Sequence, residues 1–173
     1  RLMNVAILTV SDRAAQGERE DRSGPGLTKR IEVQGWRVIR SQVVADDRKG
    51  VERLLRDWSD SGDVDLILTA GGTGFSARDQ TPEATRAVVE RLAPGITEAM
   101  RAYGMKITPH AMLSRAVAGI RGKTLIINLP GSPRAALENL EVILPALPHA
   151  IDLLKGSPDS EAGHRFPGPK LKA

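Results

Sequence analysis

The 173-residue chain contains no cysteine. This excludes disulfides, thiolate metal sites and cysteine nucleophiles, and it fits a reducing compartment. Aromatic residues make up only 3% of the chain. The core therefore has to be aliphatic, and binding of single-stranded nucleic acid by stacking on rings is disfavoured. No apolar run approaches the roughly 18 residues of a membrane span. The apolar stretch at residues 5–10 is too short for a signal peptide and runs straight into Ser11-Asp12-Arg13. A cytoplasmic protein without membrane or nucleic-acid partners is expected. His110, His149 and His164 lack metal-ligand spacing and are expected to be non-catalytic. No Lys-Ser/Thr follows the glycines at residues 71–74, so there is no P-loop. The net charge is +4, but bases alternate with acids, as in Arg19-Glu20-Asp21-Arg22. That pattern reads as a solvated surface rather than a nucleic-acid stripe.

What is present is an alternation of short apolar runs and amphipathic stretches. Residues 4–10, 36–44, 66–68 and 125–127 read as strands. Helical patterns follow each: to about Val33, stopped by Gly35; from Lys49 to Trp58; from Pro82 to about Leu92; and from Pro133, where Pro145 and Pro148 kink or divide it. A further helix carries Ile96, Met100 and Tyr103, while residues 107–122 are mixed. Such alternation implies an α/β fold in three layers, a mostly parallel sheet with helices on both faces. Residues 1–156 form one domain, and a tail at 157–173 holds Pro158, Pro167 and Pro169.

Right-handed crossovers place the loop after each strand on one edge of the sheet, where open α/β sheets bind ligands. Those loops carry Ser11-Asp12-Arg13, Asp46-Asp47, residues 71–79 and residues 128–133. Thr81-Pro82 and Ser132-Pro133 both read as an N-cap followed by proline at the first helical position. Two glycine loops leading into helix N-termini suit phosphate or carboxylate groups, although glycine also simply makes tight turns. Asp46 and Asp79 would repel a polyphosphate unless Mg²⁺ lies between, since Mg²⁺ takes carboxylate and phosphate oxygens together. Asp46 could instead be a helix N-terminal acid, a role Asp47 can also fill, and Asp79 a turn residue. Ser114 has no neighbouring base and no Gly-x-Ser-x-Gly elbow. It reads as a ligand contact or an ordinary cap, not a nucleophile.

Four motifs in order carry a resemblance: Thr69-Ala-Gly-Gly-Thr-Gly-Phe, Arg78-Asp79-Gln-Thr-Pro-Glu-Ala-Thr85, Ala111-Met-Leu-Ser-Arg115 and Ile127-Asn-Leu-Pro-Gly-Ser-Pro133. Over about residues 4–156 the chain resembles the molybdopterin adenylyltransferase family, which includes bacterial cofactor-biosynthesis enzymes and the G domains of plant and animal proteins such as gephyrin. The resemblance implies a molybdopterin-binding-like fold, a homotrimer, and adenylation of molybdopterin with Mg-ATP and release of pyrophosphate. It also allows a non-catalytic molybdopterin-binding or scaffold domain, and a molybdenum insertase as partner. By position it assigns adenylation, through Mg²⁺, to Asp46 and Asp79. It places Ser114 at the pterin. It lines the nucleotide and pterin pocket with Ser11, Gly71, Gly72, Thr73, Gly74, Thr81, Asn128, Pro130, Gly131 and Ser132. Ala45 stands where the family commonly has proline, and Gln80 where it has a β-branched residue; neither removes a chemical group. A surplus of apolar residues, Ile96, Met100, Leu147, Ile151 and Leu154, is expected to mark the subunit contact.

Overall fold

The structure is a computed structural model and describes residues 2–158. Apart from Ser157 and Pro158, the expected tail lies outside the described residues, as does His164. Strands β1 (Asn4–Val10), β2 (Arg37–Val44), β3 (Leu66–Ala70), β4 (Arg91–Leu92), β5 (Ala118–Arg121) and β6 (Thr124–Leu129) form one sheet in the order β2-β1-β3-β6-β5-β4. The first four in that order run parallel; β5 and β4 extend the sheet antiparallel.

Alternation along each central strand sends side chains to opposite faces. Val5 and Ile7 of β1, Leu66 and Leu68 of β3, and Leu125, Ile127 and Leu129 of β6 pack on one face. There they meet α2 (Ser23–Val33), α5 (Pro94–Met105), α6 (Pro133–Ile143) and α7 (Leu147–Lys155), through Leu27, Met100, Leu140 and Ile151. Ala6, Leu8, Ile67 and Ile126 pack on the other face, against Val51, Leu55 and Trp58 of α3 (Arg48–Asp60) and Ala84 and Val88 of α4 (Thr81–Val88). These are the expected three layers. Each buried Leu or Ile contributes about 1.5–3 kcal/mol of apolar burial, so the two aliphatic clusters hold the fold with few aromatics.

Several local expectations are corrected. The helix from Pro82 stops at Val88, not Leu92, because Val89 turns extended at φ −72 and ψ 146. The N–H groups of Glu90 and Ala93 then bond to the carbonyls of Ile120 and Ala118 on β5. Pro94 reinforces the break, since the residue before proline disfavours the helical region. The mixed stretch 107–122 holds a 3-10 turn, Pro109–Leu113, and β5. Within the loop after β1, Asp12–Ala15 makes one helical turn, α1. Thr81 does not cap α4: its hydroxyl is buried and makes no side-chain bond to the helix, because Thr81 already lies inside the first turn with its N–H on the Gly72 carbonyl at 3.1 Å. Pro145 and Pro148 do divide the last helix, with a 3-10 turn at Leu144–Ala146 between α6 and α7. The apolar surplus is also absorbed internally: Met100, Leu147 and Ile151 are core, with Ile96 and Leu154 packed against it. Exposed apolar residues include instead Tyr103, Met105, Ile107, Met112 and Leu113, with Leu2, Val33, Phe75, Leu92 and Leu153 exposed as well.

Candidate functional site

Loops leave the carboxyl ends of β1, β2, β3 and β6 side by side. After β2, the two aspartates divide their roles. Asp47 caps α3 by accepting the Gly50 N–H at 2.9 Å. Asp46 instead exchanges bonds with the β1 loop. Its Oδ2 accepts the Asp12 N–H at 2.9 Å, and Asp12 Oδ1 accepts the Asp46 N–H at 2.9 Å. Arg78 then grips Asp12 in a bidentate pair, Nε to Oδ2 at 2.7 Å and Nη2 to Oδ1 at 2.8 Å. Both Asp12 oxygens are thereby engaged, while among the described residues Asp46 Oδ1 finds no hydrogen-bond donor. Asp79 is similar. Its Oδ2 accepts the Ser76 N–H at 3.0 Å, closing the loop it sits in, and among the described residues its Oδ1 finds no donor.

Burial pushes the Asp46 carboxyl above the ordinary aspartate value, and the like charges of Asp12 and Asp79 add to this. The Asp12 N–H and the Arg78 charge pull the other way and are outweighed. Asp12 moves oppositely, held low by its hydrogen bonds from Arg78.

The glycine turn is dictated by close approach. Gly71 has φ +104, and a Cβ there would sit 2.2 Å from the Val10 carbonyl oxygen. Gly72 has φ +68, and its Cβ would meet Thr81 Oγ1 at 2.2 Å and Asp46 Oδ1 at 3.1 Å. No side chain separates the β3 and β6 loops: the Gly71 N–H donates to Leu129 O at 3.1 Å, and Gly131 approaches the Gly71 Cα. Ser23 at the start of α2 donates to Gly131 O at 2.9 Å.

Two cavities flank this junction. The larger, about 640 Å³, is lined by Ser11, Asp46, Gly71, Gly72, Asp79, Gly131 and Ser132, with Arg19 and Arg22 at its mouth. The smaller, about 290 Å³ and more apolar, is lined by Thr73, Gly74, Ser114 and Pro130, together with Met100, Ile107 and Leu113. The β3 and β6 loops each contribute to both. Eleven of the thirteen residues expected at the site line one cavity or the other; Thr81 and Asn128 line neither. Thr81 lies beneath Gly72 with its hydroxyl unpartnered by protein. Asn128 is 0% exposed. Its amide donates to Thr69 Oγ1 at 3.0 Å and Thr85 Oγ1 at 2.9 Å, and its Oδ1 accepts the Val117 N–H at 3.0 Å. With these bonds made, it supports the site from below and cannot touch a ligand. His110 lines the smaller cavity.

The structure adds residues that sequence patterns did not single out. Arg115 donates from Nε to Gly74 O at 2.8 Å and from Nη2 to Asp79 O at 2.7 Å, and it pairs with Glu83 of α4. It thus staples both ends of the glycine loop. Arg101 of α5 donates to the carbonyls of Ser114 and Ala116 at 3.1 and 3.2 Å and shapes the turn that presents Ser114. The available signal for Arg115 was its place beside Ser114 in a motif. For Asp12 it was its place on the same sheet edge.

Glycine loops, helix N-termini, two half-engaged carboxylates and paired cavities at a sheet's carboxyl edge define an α/β protein that handles anionic, phosphorylated ligands. The chain matches the family described as probable molybdopterin binding domain over residues 6–149, and it belongs to that family. It is 41% identical over 157 residues to the molybdopterin adenylyltransferase of Helicobacter pylori strain J99, covering 90% of this chain and 89% of that protein. It is 45% identical over 166 residues to gephyrin of Dictyostelium discoideum, covering 90% of this chain but only 23% of gephyrin. The crystal structure of the molybdopterin biosynthesis enzyme MoaB from Thermus thermophilus superposes with a TM-score of 0.85 at 48% identity, covering 90% of this chain and 98% of that one.

Proposed function

We propose that the protein adenylates molybdopterin in molybdenum cofactor biosynthesis, joining it to AMP from ATP with release of pyrophosphate. The observation that carries this reading is the pair of cavities that share the β3 and β6 loops, Gly71, Gly72 and Gly131 lining one and Thr73, Gly74 and Pro130 the other. A two-substrate transfer needs two adjoining sites with the reacting groups at their boundary. The larger, polar cavity takes ATP and its phosphates; the smaller, apolar one takes the pterin against Ser114.

In the reaction a terminal phosphate oxygen of molybdopterin bonds to the α-phosphorus of ATP. The bond between the α-phosphorus and the bridging oxygen breaks, and that oxygen leaves with its electron pair on pyrophosphate. Both ends of the step are anionic, so the protein contributes position and charge neutralisation rather than a covalent intermediate. The residues fit Mg²⁺. Asp46 and Asp79 each present one carboxylate oxygen without a protein bond, and hard oxygen donors few in number suit an ion that completes its shell with phosphate and water. Among the described residues no group of three or more His, Cys, Asp or Glu side chains is arranged to hold a metal, so substrate oxygens would have to supply the remaining ligands. Bound there, Mg²⁺ would neutralise charge developing on the phosphates. Backbone N–H groups of the two loops and the mouth arginines, Arg19 and Arg22, hold the polyphosphate; Arg115 holds the loop that carries Asp79.

The expected result is pyrophosphate release from protein, Mg-ATP and molybdopterin together, and none when either substrate is omitted. Molybdopterin binding without pyrophosphate would replace this reading with a binding domain. The working protein is further proposed to be a cytoplasmic homotrimer that delivers its product to a molybdenum insertase. The exposed residues Tyr103, Met105, Ile107, Met112 and Leu113 support a subunit contact, and among the described residues no helix is long and apolar enough to cross a membrane. Light scattering should give three times the chain mass of 18.6 kDa; a monomer at micromolar concentration would refute the trimer.

A further inference from the structure

Asp46 and Asp79 follow different strands, β2 and β3, which are not neighbours: β1 lies between them in the sheet. No direct pairing between their strands therefore sets how far apart the two carboxylates stand. What connects them is a strap through the β1 loop. Asp46 and Asp12 exchange N–H-to-carboxylate bonds, both 2.9 Å. Asp12 in turn holds Arg78 by two bonds of 2.7 and 2.8 Å. The next residue after Arg78 is Asp79. The strap thus runs from one acid to the other across three loops, with a single cation among three carboxylates.

We propose that Asp12 and Arg78 are positioning residues that set the spacing of the Asp46–Asp79 pair and so its capacity to take a metal–nucleotide. The inference rests on the reading of those two acids as the pair that receives Mg-ATP. Stability does not account for the strap. The Arg78 side chain is 62% exposed, and ion pairs that open to water stabilise a fold little. Asp12 is less free to act as a ligand than Asp46 or Asp79, because both its oxygens already accept hydrogen bonds. Arg78 also offsets the mutual repulsion of Asp12, Asp46 and Asp79, which would otherwise drive the acids apart.

The test uses Mn²⁺ with a non-hydrolysable ATP analogue, read by the electron spin resonance of the bound ion. Pyrophosphate release and molybdopterin affinity are measured in parallel. Asp12→Asn keeps an acceptor for the Asp46 N–H and severs Arg78; Arg78→Gln severs the same link from the other side. Each is expected to weaken Mn²⁺–nucleotide binding roughly tenfold or more, the scale for losing a partner that orients a metal ligand. The double variant should be no worse than either single one, since all three break one strap. Arg78→Lys, which keeps the charge, should recover part of the loss. Molybdopterin affinity and the thermal midpoint should not move. Loss in Arg78→Gln with none in Asp12→Asn would overturn the proposal and make Arg78 a direct phosphate contact. Additive losses, or wild-type binding in both, would overturn it too. A wild type that binds Mn²⁺–nucleotide but releases no pyrophosphate counts against adenylation, not against the strap.

Discussion

Where the parallel strands begin, Asp63 lies against Arg40 at 2.8 Å and accepts the Ser61 hydroxyl, and its carboxyl is held down at about 2. Asp60 pairs with Arg121 and Asp65 with Lys155 at the same edge. Where the strands end, Asp46 is pushed up by burial, and among the described residues the one arginine bonded to a carboxylate of its acid cluster, Arg78, is spent on Asp12. One edge pairs its acids with bases; the other gathers acids and leaves oxygens without protein bonds. The first arrangement makes structure. The second is held in place by the rest of the fold and, on the proposed reading, receives a ligand cation.

The sharpest way to break this contrast is to neutralise an acid at the upper edge. Asp79→Asn or Asp46→Asn should lower adenylation by about 10²-fold or more, the scale for losing one preorganised electrostatic group, with molybdopterin binding little changed. Turnover like the wild type in either variant would remove that residue from the chemistry. A smaller effect is expected across the glycine loop. Ser114→Ala should weaken molybdopterin binding by about 1–3 kcal/mol if it strands a ligand polar group, measured by titration, while the thermal midpoint stays put. Equal affinity would make Ser114 only the end of its turn, where its Oγ already accepts the Ala116 N–H.

The smallest effects sharpen the comparison, because they have opposite signs. Asp46 has a raised carboxyl, so the folded state loses stability as pH climbs through the carboxylate range. Asp46→Asn should therefore melt slightly higher at neutral pH, the gain vanishing in acid. Asp63 has a depressed carboxyl, whose stability is present above the ordinary aspartate value and lost as pH falls toward about 2. Arg40→Ala should melt slightly lower at neutral pH, lose that deficit in acid, and adenylate normally. Melting curves over pH decide both, and matching signs would refute the division between edges.

The layers and the central strands could be read in the sequence because Leu66-Ile67-Leu68 and Leu125-Ile126-Ile127 are apolar on both faces, as strands covered by helices must be. The edge where the loops and cavities gather followed from topology alone, and Asp47 took the capping role that the sequence offered to either aspartate. What could not be read depended on partners distant in the chain. Residues 91–92 look like the end of a helix until β5 offers them a strand to pair with. Asn128 looks like a loop residue lining a pocket; only the fold brings Thr69, Thr85 and Val117 around it. Arg115 reaches a carbonyl 41 residues away, which no spacing rule anticipates. Thr81-Pro82 misled for a local reason, since the helix begins one residue earlier than the motif suggests.

Asn128 also has a bearing on how the chain comes together in time. Its amide ties β6 to a parallel neighbour on one side and to the approach of an antiparallel one on the other. The antiparallel contact, to Val117, spans 11 residues. The contacts to Thr85 and Thr69 span 43 and 59. Closing the short loop sacrifices less chain entropy than closing the long ones, and contacts far apart in sequence slow folding. Chain entropy therefore favours closing the β5–β6 hairpin before the seam between β3 and β6. The Gly71–Gly131 junction sits at the end of that seam, so a nascent or partly folded chain has no place to join two substrates.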